Sequence, residues 1–226
     1  MTGEGFSRRL AVLAGLLYLL IILAGVGAEL LVRGAVVVPG DAAATAARIV
    51  ENSGLFRAGF AAEAAMAAAD AALAVLLYRM LAPAGAVMSL TAMVFRLIQS
   101  AILAMNLMHH YGALLLAQSG AAPEAVMHEL TLQAHVYDLG LIFFAINCLL
   151  TGVLLIRLPG GPNWIGAGII ASGAVYLTGS LARFLAPEWH GMVEPAYLVP
   201  LVAESAFCVW LLWRGGERGT AAGLAG

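Results

Sequence analysis

Six apolar runs, each long enough to cross a bilayer, decide most of what this chain can fold into. They extend from Leu10 to Leu31, Leu55 to Tyr78, Ala86 to Leu107, Ala134 to Ile156, Trp164 to Phe184 and Tyr197 to Trp213. A spanning helix needs about 20 mainly apolar residues at 1.5 Å of rise each. In hydrocarbon every backbone N–H and C=O must be satisfied internally, so runs of this kind become helices. The expected fold is all-α: an integral membrane bundle of about six transmembrane helices, with short interfacial helices in the outer loops, built as a single transmembrane domain over residues 1–226. Only 11% of the 226 residues are charged, against roughly 25% in soluble domains, and six crossings with short loops leave no length for a separate soluble domain. With a net charge of −2 and no long basic run, nucleic acid is excluded as a partner.

The first run follows Ser7-Arg8-Arg9 and ends in small residues near Ala28, as a signal peptide would. At about twenty residues it exceeds the apolar region of such a signal, and a retained first helix is expected. Arg8, Arg9, Arg79, Arg157, Arg214 and Arg218 fall on one side of the spans. Asp41, Glu51, Glu124, Glu129, Glu188 and Glu194 fall on the other, together with the exceptions Arg33 and Arg48. The positive-inside rule then puts both termini in the cytoplasm of a bacterial inner membrane. All eleven basic residues are Arg, which removes lysine chemistry.

The inner turns Leu81-Ala82-Pro83-Ala84-Gly85 and Leu158-Pro159-Gly160-Gly161-Pro162 are short and rich in helix breakers. The outer connections are longer. Pro39-Gly40-Asp41 predicts an Asp-capped interfacial helix over 42–50, and Pro123-Glu124 opens another that runs into the fourth span. Trp164, Trp189, Trp210 and Trp213 sit near span ends, where amphipathic rings prefer the headgroup layer. In the second span, Ala61, Ala65 and Ala69, with Ala64, Ala68 and Ala72, form small-residue stripes that let a helix approach closely.

Ionisable residues inside spans are costly unless paired, neutralised or hydrated. Asp70 and Arg96 are equally distant from Pro83 on the two arms of one hairpin, both about 20 Å from the inner turn, and are natural partners. Glu204 reaches a similar depth from Arg214, so two acids are expected to share one guanidinium. A second polar layer lies nearer the outer face: Glu29, Arg57, Glu63, Asn106, His135, Asp138 and Arg183. Glu63 and Asp70 share a helix face, while Arg96, Gln99, Asn106 and His110 follow a stripe on the third helix. Together they predict a polar seam from the outer surface to mid-membrane.

A metal centre would draw on His128, His135 and Asp138, aligned on one face of the fourth helix and its lead-in, with His109, His110 or His190 from other outer segments. These donors suit zinc, but their spacing matches no metal signature, and no cofactor is otherwise expected. Ser172, Ser180 and Ser205 lack a nearby histidine or nucleophile elbow, and Gly166, Gly168 and Gly173 are helix-packing glycines. Cys148 and Cys208 lie inside apolar runs as small hydrophobes.

The segments Tyr18-Leu19-Leu20-Ile21-Ile22-Leu23-Ala24-Gly25, Val38-Pro39-Gly40-Asp41-Ala42-Ala43-Ala44-Thr45-Ala46, Phe95-Arg96-Leu97-Ile98-Gln99-Ser100-Ala101 and Gly140-Leu141-Ile142-Phe143-Phe144, with the closing helix around Glu204, resemble a bacterial family of polytopic membrane proteins classed as a domain of unknown function, DUF4386. The resemblance spans essentially the whole chain. It implies a single six- or seven-helix domain and no particular activity, cofactor or catalytic residue. The family pattern commonly has a His on the fourth helix near the place of Asn147, so a metal or proton-relay role there does not carry over.

The functional expectation is a non-enzymatic bundle that binds or conducts a small amphiphilic or polar ligand through an outward-facing seam floored by Asp70, Arg96 and Glu204. Two alternatives stand beside it: a metal-dependent membrane hydrolase at the outer face, and an accessory subunit presenting its Ala-rich helix to a membrane partner or a second copy.

Overall fold

Apolar runs whose one proline, Pro200, falls in the first turn of its helix satisfy their own backbone as helix, and the computed structural model, which describes residues 8–216, contains no strand among them. The elements in chain order are α1 (Arg8–Gly27), a π-helical stretch (Ala28–Arg33), α2 (Gly34–Val36), α3 (Ala42–Glu51), α4 (Ser53–Leu81), α5 (Ala86–Gln118), α6 (Pro123–Arg157), α7 (Asn163–Leu185), α8 (Pro187–Val193) and α9 (Leu198–Gly216). Among the described residues six helices are long and apolar enough to cross a membrane: Arg8–Val36, Ser53–Ala84, Ala86–Gln118, Pro123–Arg157, Asn163–Leu185 and Pro195–Arg214. The protein is a multi-pass helical membrane protein. Ser7 and Arg218, used above for the leader and orientation readings, lie outside the described residues.

The spans form a closed ring. In the order α1, α4, α5, α6, α7, α9 each helix packs on the next, and α9 returns to α1. Close approach depends on glycine. A Cβ on Gly15 would stand 2.7 Å from the Leu212 side chain, one on Gly152 2.5 Å from the Gly166 carbonyl oxygen, and one on Gly173 2.8 Å from the Ala145 carbonyl oxygen. Without a hydrophobic force between helices in lipid, such backbone proximity supplies the packing that holds spans together.

One end of the ring is tight, closed by the turns at 82–85 and 158–162, and Arg214 Nη2 donates to the Gly160 carbonyl at 2.7 Å there. A core from α1, α4, α6, α7 and α9 fills this half, including Tyr18, Leu77, Phe144, Leu154, Ile169 and Phe207. Trp210 belongs to this core at 9% exposure, with its ring 6.1 Å from that of Phe207. Its indole is therefore not an interfacial anchor, whereas Trp164, Trp189 and Trp213 are exposed.

The other end is broad. At 35 residues α6 is about 52 Å long, well beyond the ~30 Å hydrocarbon core, and the helix that opens at Pro123 runs unbroken into the fourth span. Its first turns, with the end of α5, meet α3 in a second core containing Ile49, Phe56, Leu114, Val126 and Leu130. The stretch that opens α3 is locally self-consistent. Gly40 takes φ +77°, the Asp41 carboxylate accepts from the Ala44 N–H at 2.8 Å, and the Val38 N–H donates to the Thr45 hydroxyl at 2.9 Å.

Candidate functional site

Two polar constructions lie along the ring axis. The deeper one is centred on Arg96, which is 2% exposed. Its Nε and Nη2 donate to Asp70 Oδ1 at 2.9 and 2.6 Å, and the Ser100 hydroxyl donates to Asp70 Oδ2 at 2.6 Å. The guanidinium carbon stands 5.3 Å from the Tyr18 ring centroid and 5.0 Å from that of Phe144, so two aromatic faces take the place of water. Asp70 and Arg96 thus meet as their equal distance from Pro83 predicts.

Glu204 does not share that guanidinium at ion-pair distance. It accepts instead from the Tyr18 hydroxyl at 3.0 Å and the Tyr176 hydroxyl at 2.5 Å. The reason is steric: the Tyr18 ring lies against Arg96 and its hydroxyl reaches Glu204, so tyrosine stands between the two charges. Tyr18 and Tyr176 were missed as site residues. The available signal was their position in mid-span, away from the interface where membrane tyrosines concentrate.

Above this node, in the broad half, the ring encloses a cavity of about 540 Å³. Its polar wall combines Glu63 on α4, Asn106 and His110 on α5, Gln133 and Asp138 on α6, and Arg183 on α7. Glu29 and Arg33 come from the π-helical stretch; π turns are rare and recur at functional sites. They form an i,i+4 pair at 3.9 Å, and Glu29, with its side chain 71% exposed, stands at the rim. Val32, Phe56, Met66, Leu103 and Leu141 supply apolar surface.

The bonding in the wall is dense. Asp138 is ion-paired to Arg183 Nε and accepts from the Ser180 hydroxyl at 3.3 Å. Arg183 Nη2 donates to His190 Nε2 at 2.7 Å, and His190 Nδ1 lies 3.2 Å from the Gly179 carbonyl oxygen. His110 Nε2 lies 2.9 Å from the Phe56 carbonyl oxygen. Glu63 Oε2, His110 Nδ1 and Gln133 Nε2 form a triangle with sides of 3.4, 3.4 and 3.3 Å. Asn106 Nδ2 donates to the Gln133 carbonyl at 2.9 Å, while Asn106 Oδ1 and Gln99 Oε1 are buried without a hydrogen bond.

Of the residues expected in the seam, Glu29, Glu63, Asn106, Asp138 and Arg183 line the cavity. Gln99 is buried without reaching it, and Arg57 points away, with Nη2 3.5 Å from Gln118 Oε1. Asp70, Arg96 and Glu204 do not form the floor. The deepest lining residues are Gly25, Met66, Leu103 and Leu141, an apolar layer about one to two helical turns above the node. An ion pair satisfied by its own hydrogen bonds and two rings needs no water, so the layer can close over it. Gln133 and Arg33 were missed; a lone amide five residues before Asp138 was the signal for the first.

The metal set does not assemble. His128 is exposed, His135 Nδ1 is satisfied by the Thr131 carbonyl at 2.8 Å, and Asp138 is committed to Arg183. His109 pairs with Glu129 at 2.8 Å. Among the described residues no three His, Cys, Asp or Glu are grouped to hold a metal ion. Cys148 and Cys208 are free and buried, Ser172 donates to the Gly168 carbonyl in its own helix, and Asn147 Nδ2 ties α6 to the Ala92 carbonyl of α5 at 2.9 Å.

No solved structure matches the chain. A similar protein from the archaeon Archaeoglobus fulgidus, described as an uncharacterized protein, is 28% identical over 146 residues, which is 65% of this chain and 76% of the relative. A family described as "Domain of unknown function (DUF4386)" matches residues 13–215, so an archaeal relative joins the bacterial resemblance, and the chain belongs to the DUF4386 family.

Proposed function

We propose that this protein is a non-enzymatic membrane receptor for a small amphiphilic or polar ligand, taken into the broad-end cavity. The observation that carries the reading is the cavity itself. Its volume of about 540 Å³ falls in the range of small-molecule sites, roughly 300–1,000 Å³, and it joins apolar walls to a few convergent polar groups as such sites do. Binding is favoured over conduction. Below the node the ring is filled by the tight-end core, and the void beside Arg96 is only about 10 Å³, the space of a single water. With Arg8, Arg9, Arg79, Arg157 and Arg214 near the tight end, the positive-inside rule supports a cytoplasmic tight end and a cavity facing outward from a bacterial inner membrane.

The test is native mass spectrometry of protein extracted gently from its own membrane, beside an Ala134→Trp variant that fills the cavity. Wild-type protein should retain a bound small molecule and the variant should lose it while keeping its gel-filtration profile. Two bare proteins, or two equally loaded ones, would overturn the reading.

The hydrolase alternative gains nothing from this geometry, since its ligands do not converge. The accessory-subunit alternative has one observation in its favour: Ala61, Ala65, Ala68 and Ala72 lie on an exposed face of α4, smooth enough for another helix. A protein that co-purifies from native membrane and is lost on Ala65→Leu substitution would support it; a lone monomer in both preparations would count against it.

A further inference from the structure

The geometry points to a monocationic amphiphile as the ligand of this cavity: an amine or quaternary ammonium with an apolar body, its charge set against Glu63. This rests on the cavity being a binding site, as proposed above. The argument is one of charge balance. Three carboxylates line the cavity, Glu29, Glu63 and Asp138, against two guanidiniums, Arg33 and Arg183. Arg33 is matched by Glu29 and Arg183 by Asp138. Glu63 is left over.

Among the described residues no guanidinium is ion-paired to Glu63, whose polar neighbours are His110 and Gln133. His110 Nε2 must donate to the Phe56 carbonyl, and the Gln133 amide nitrogen, near both His110 Nδ1 and Glu63 Oε2, can donate one N–H to each. In that arrangement His110 Nδ1 is an acceptor and presents no proton to Glu63. Glu63 then receives one long amide contact at 3.4 Å and keeps 22% of its side chain exposed to the cavity it lines. The second histidine at the wall, His190, accepts from Arg183. A carboxylate in the interior of a membrane protein without a counter-charge is costly, and an incoming cation removes that cost.

The rest of the wall suits such a ligand. Tyr137 lines the cavity and can offer a ring face to an ammonium group. Met66, Leu103 and Leu141 on the floor can take an alkyl or aryl body. An anion, by contrast, would find both guanidiniums already committed to carboxylates.

Three probes of equal chain length decide the matter: hexyltrimethylammonium, 1-hexanol and hexyl sulfate. Each is titrated at pH 7 into full-length protein in nanodiscs of zwitterionic lipid, with empty discs as the blank. Wild-type protein should bind the cation about tenfold more tightly than either other probe, a difference of about 1.4 kcal/mol. Glu63→Gln should bind all three about equally, while Glu63→Asp, which keeps the charge, should retain the preference. If wild-type protein binds the alcohol or the sulfate as tightly as the cation, as it would were His110 already protonated against Glu63, the charge assignment falls and the cavity reading stands. A preference that survives Glu63→Gln overturns the role of Glu63. If no probe binds wild-type protein better than Ala134→Trp, the cavity reading fails, and this inference with it.

Discussion

Arg96 makes the clearest residue-scale case, because burying a guanidinium in a membrane bundle is tolerable only when its donors and its faces are both occupied. Asp70 and Ser100 complete the polar side, and Tyr18 and Phe144 cover the planes. Removing one partner strands the other charge, so Asp70→Ala or Arg96→Gln should destabilise the protein by about 3–5 kcal/mol, read as a lower unfolding midpoint in detergent. The double variant Asp70→Leu/Arg96→Met should recover most of that loss, since a matched apolar pair is often neutral. Glu204→Gln keeps an acceptor for one tyrosine and should cost less than Glu204→Leu, which strands two buried hydroxyls at about 1–3 kcal/mol each. Of this node, the Asp70–Arg96 pairing was legible because both residues sit on one hairpin, where depth follows from counting residues. The Tyr18–Glu204 bond was not. It joins positions 186 residues apart, and only the return of α9 against α1 brings them together.

At the scale of elements, the stretches that carry the family resemblance turn out to have two jobs. Val38-Pro39-Gly40-Asp41 through Thr45 builds a turn and a cap, and Asp41→Ala should cost about 1 kcal/mol, seen as earlier loss of amide-exchange protection in α3 without loss of the spans. The other four stretches supply Tyr18, Arg96, Phe144 and Glu204, and these side chains meet at the node. The pattern is thus explained by structural needs at both places, and the cavity wall draws mostly on residues outside it, such as Glu63, Asn106 and Gln133. The α6–α7 pair shows how packing constrains sequence: a Cβ on Gly166 would stand 2.7 Å from the Gly152 carbonyl oxygen, so Gly166→Ala must push two backbones apart. A loss of about 1–3 kcal/mol is expected, measurable as a drop in the thermal midpoint in detergent. The π-helical stretch at Ala28–Arg33 was not legible, because a changed hydrogen-bond step leaves no mark in an apolar periodicity already close to helical.

For the whole molecule, orientation decides which compartment the cavity serves, and the buried native cysteines make it measurable. In intact spheroplasts a membrane-impermeant maleimide should label Ala121→Cys at the broad end but not wild-type protein, and should reach Ala84→Cys only after permeabilisation. The opposite pattern would turn the cavity toward the cytoplasm. What the sequence determined by itself was whatever depends on counting along one segment: the number of spans, the tight and broad ends, the capped α3, and the depth of each charge. These follow because hydrocarbon admits only self-satisfied helices of fixed rise. Tertiary structure alone decided that the ring closes, that its tight half is filled while its broad half is hollow, and that an apolar layer of Met66, Leu103 and Leu141 separates the cavity from the Arg96 node. Those outcomes depend on the rotation of each helix about its axis and on the distances between axes, and both are set by which side chains and glycines meet across the ring.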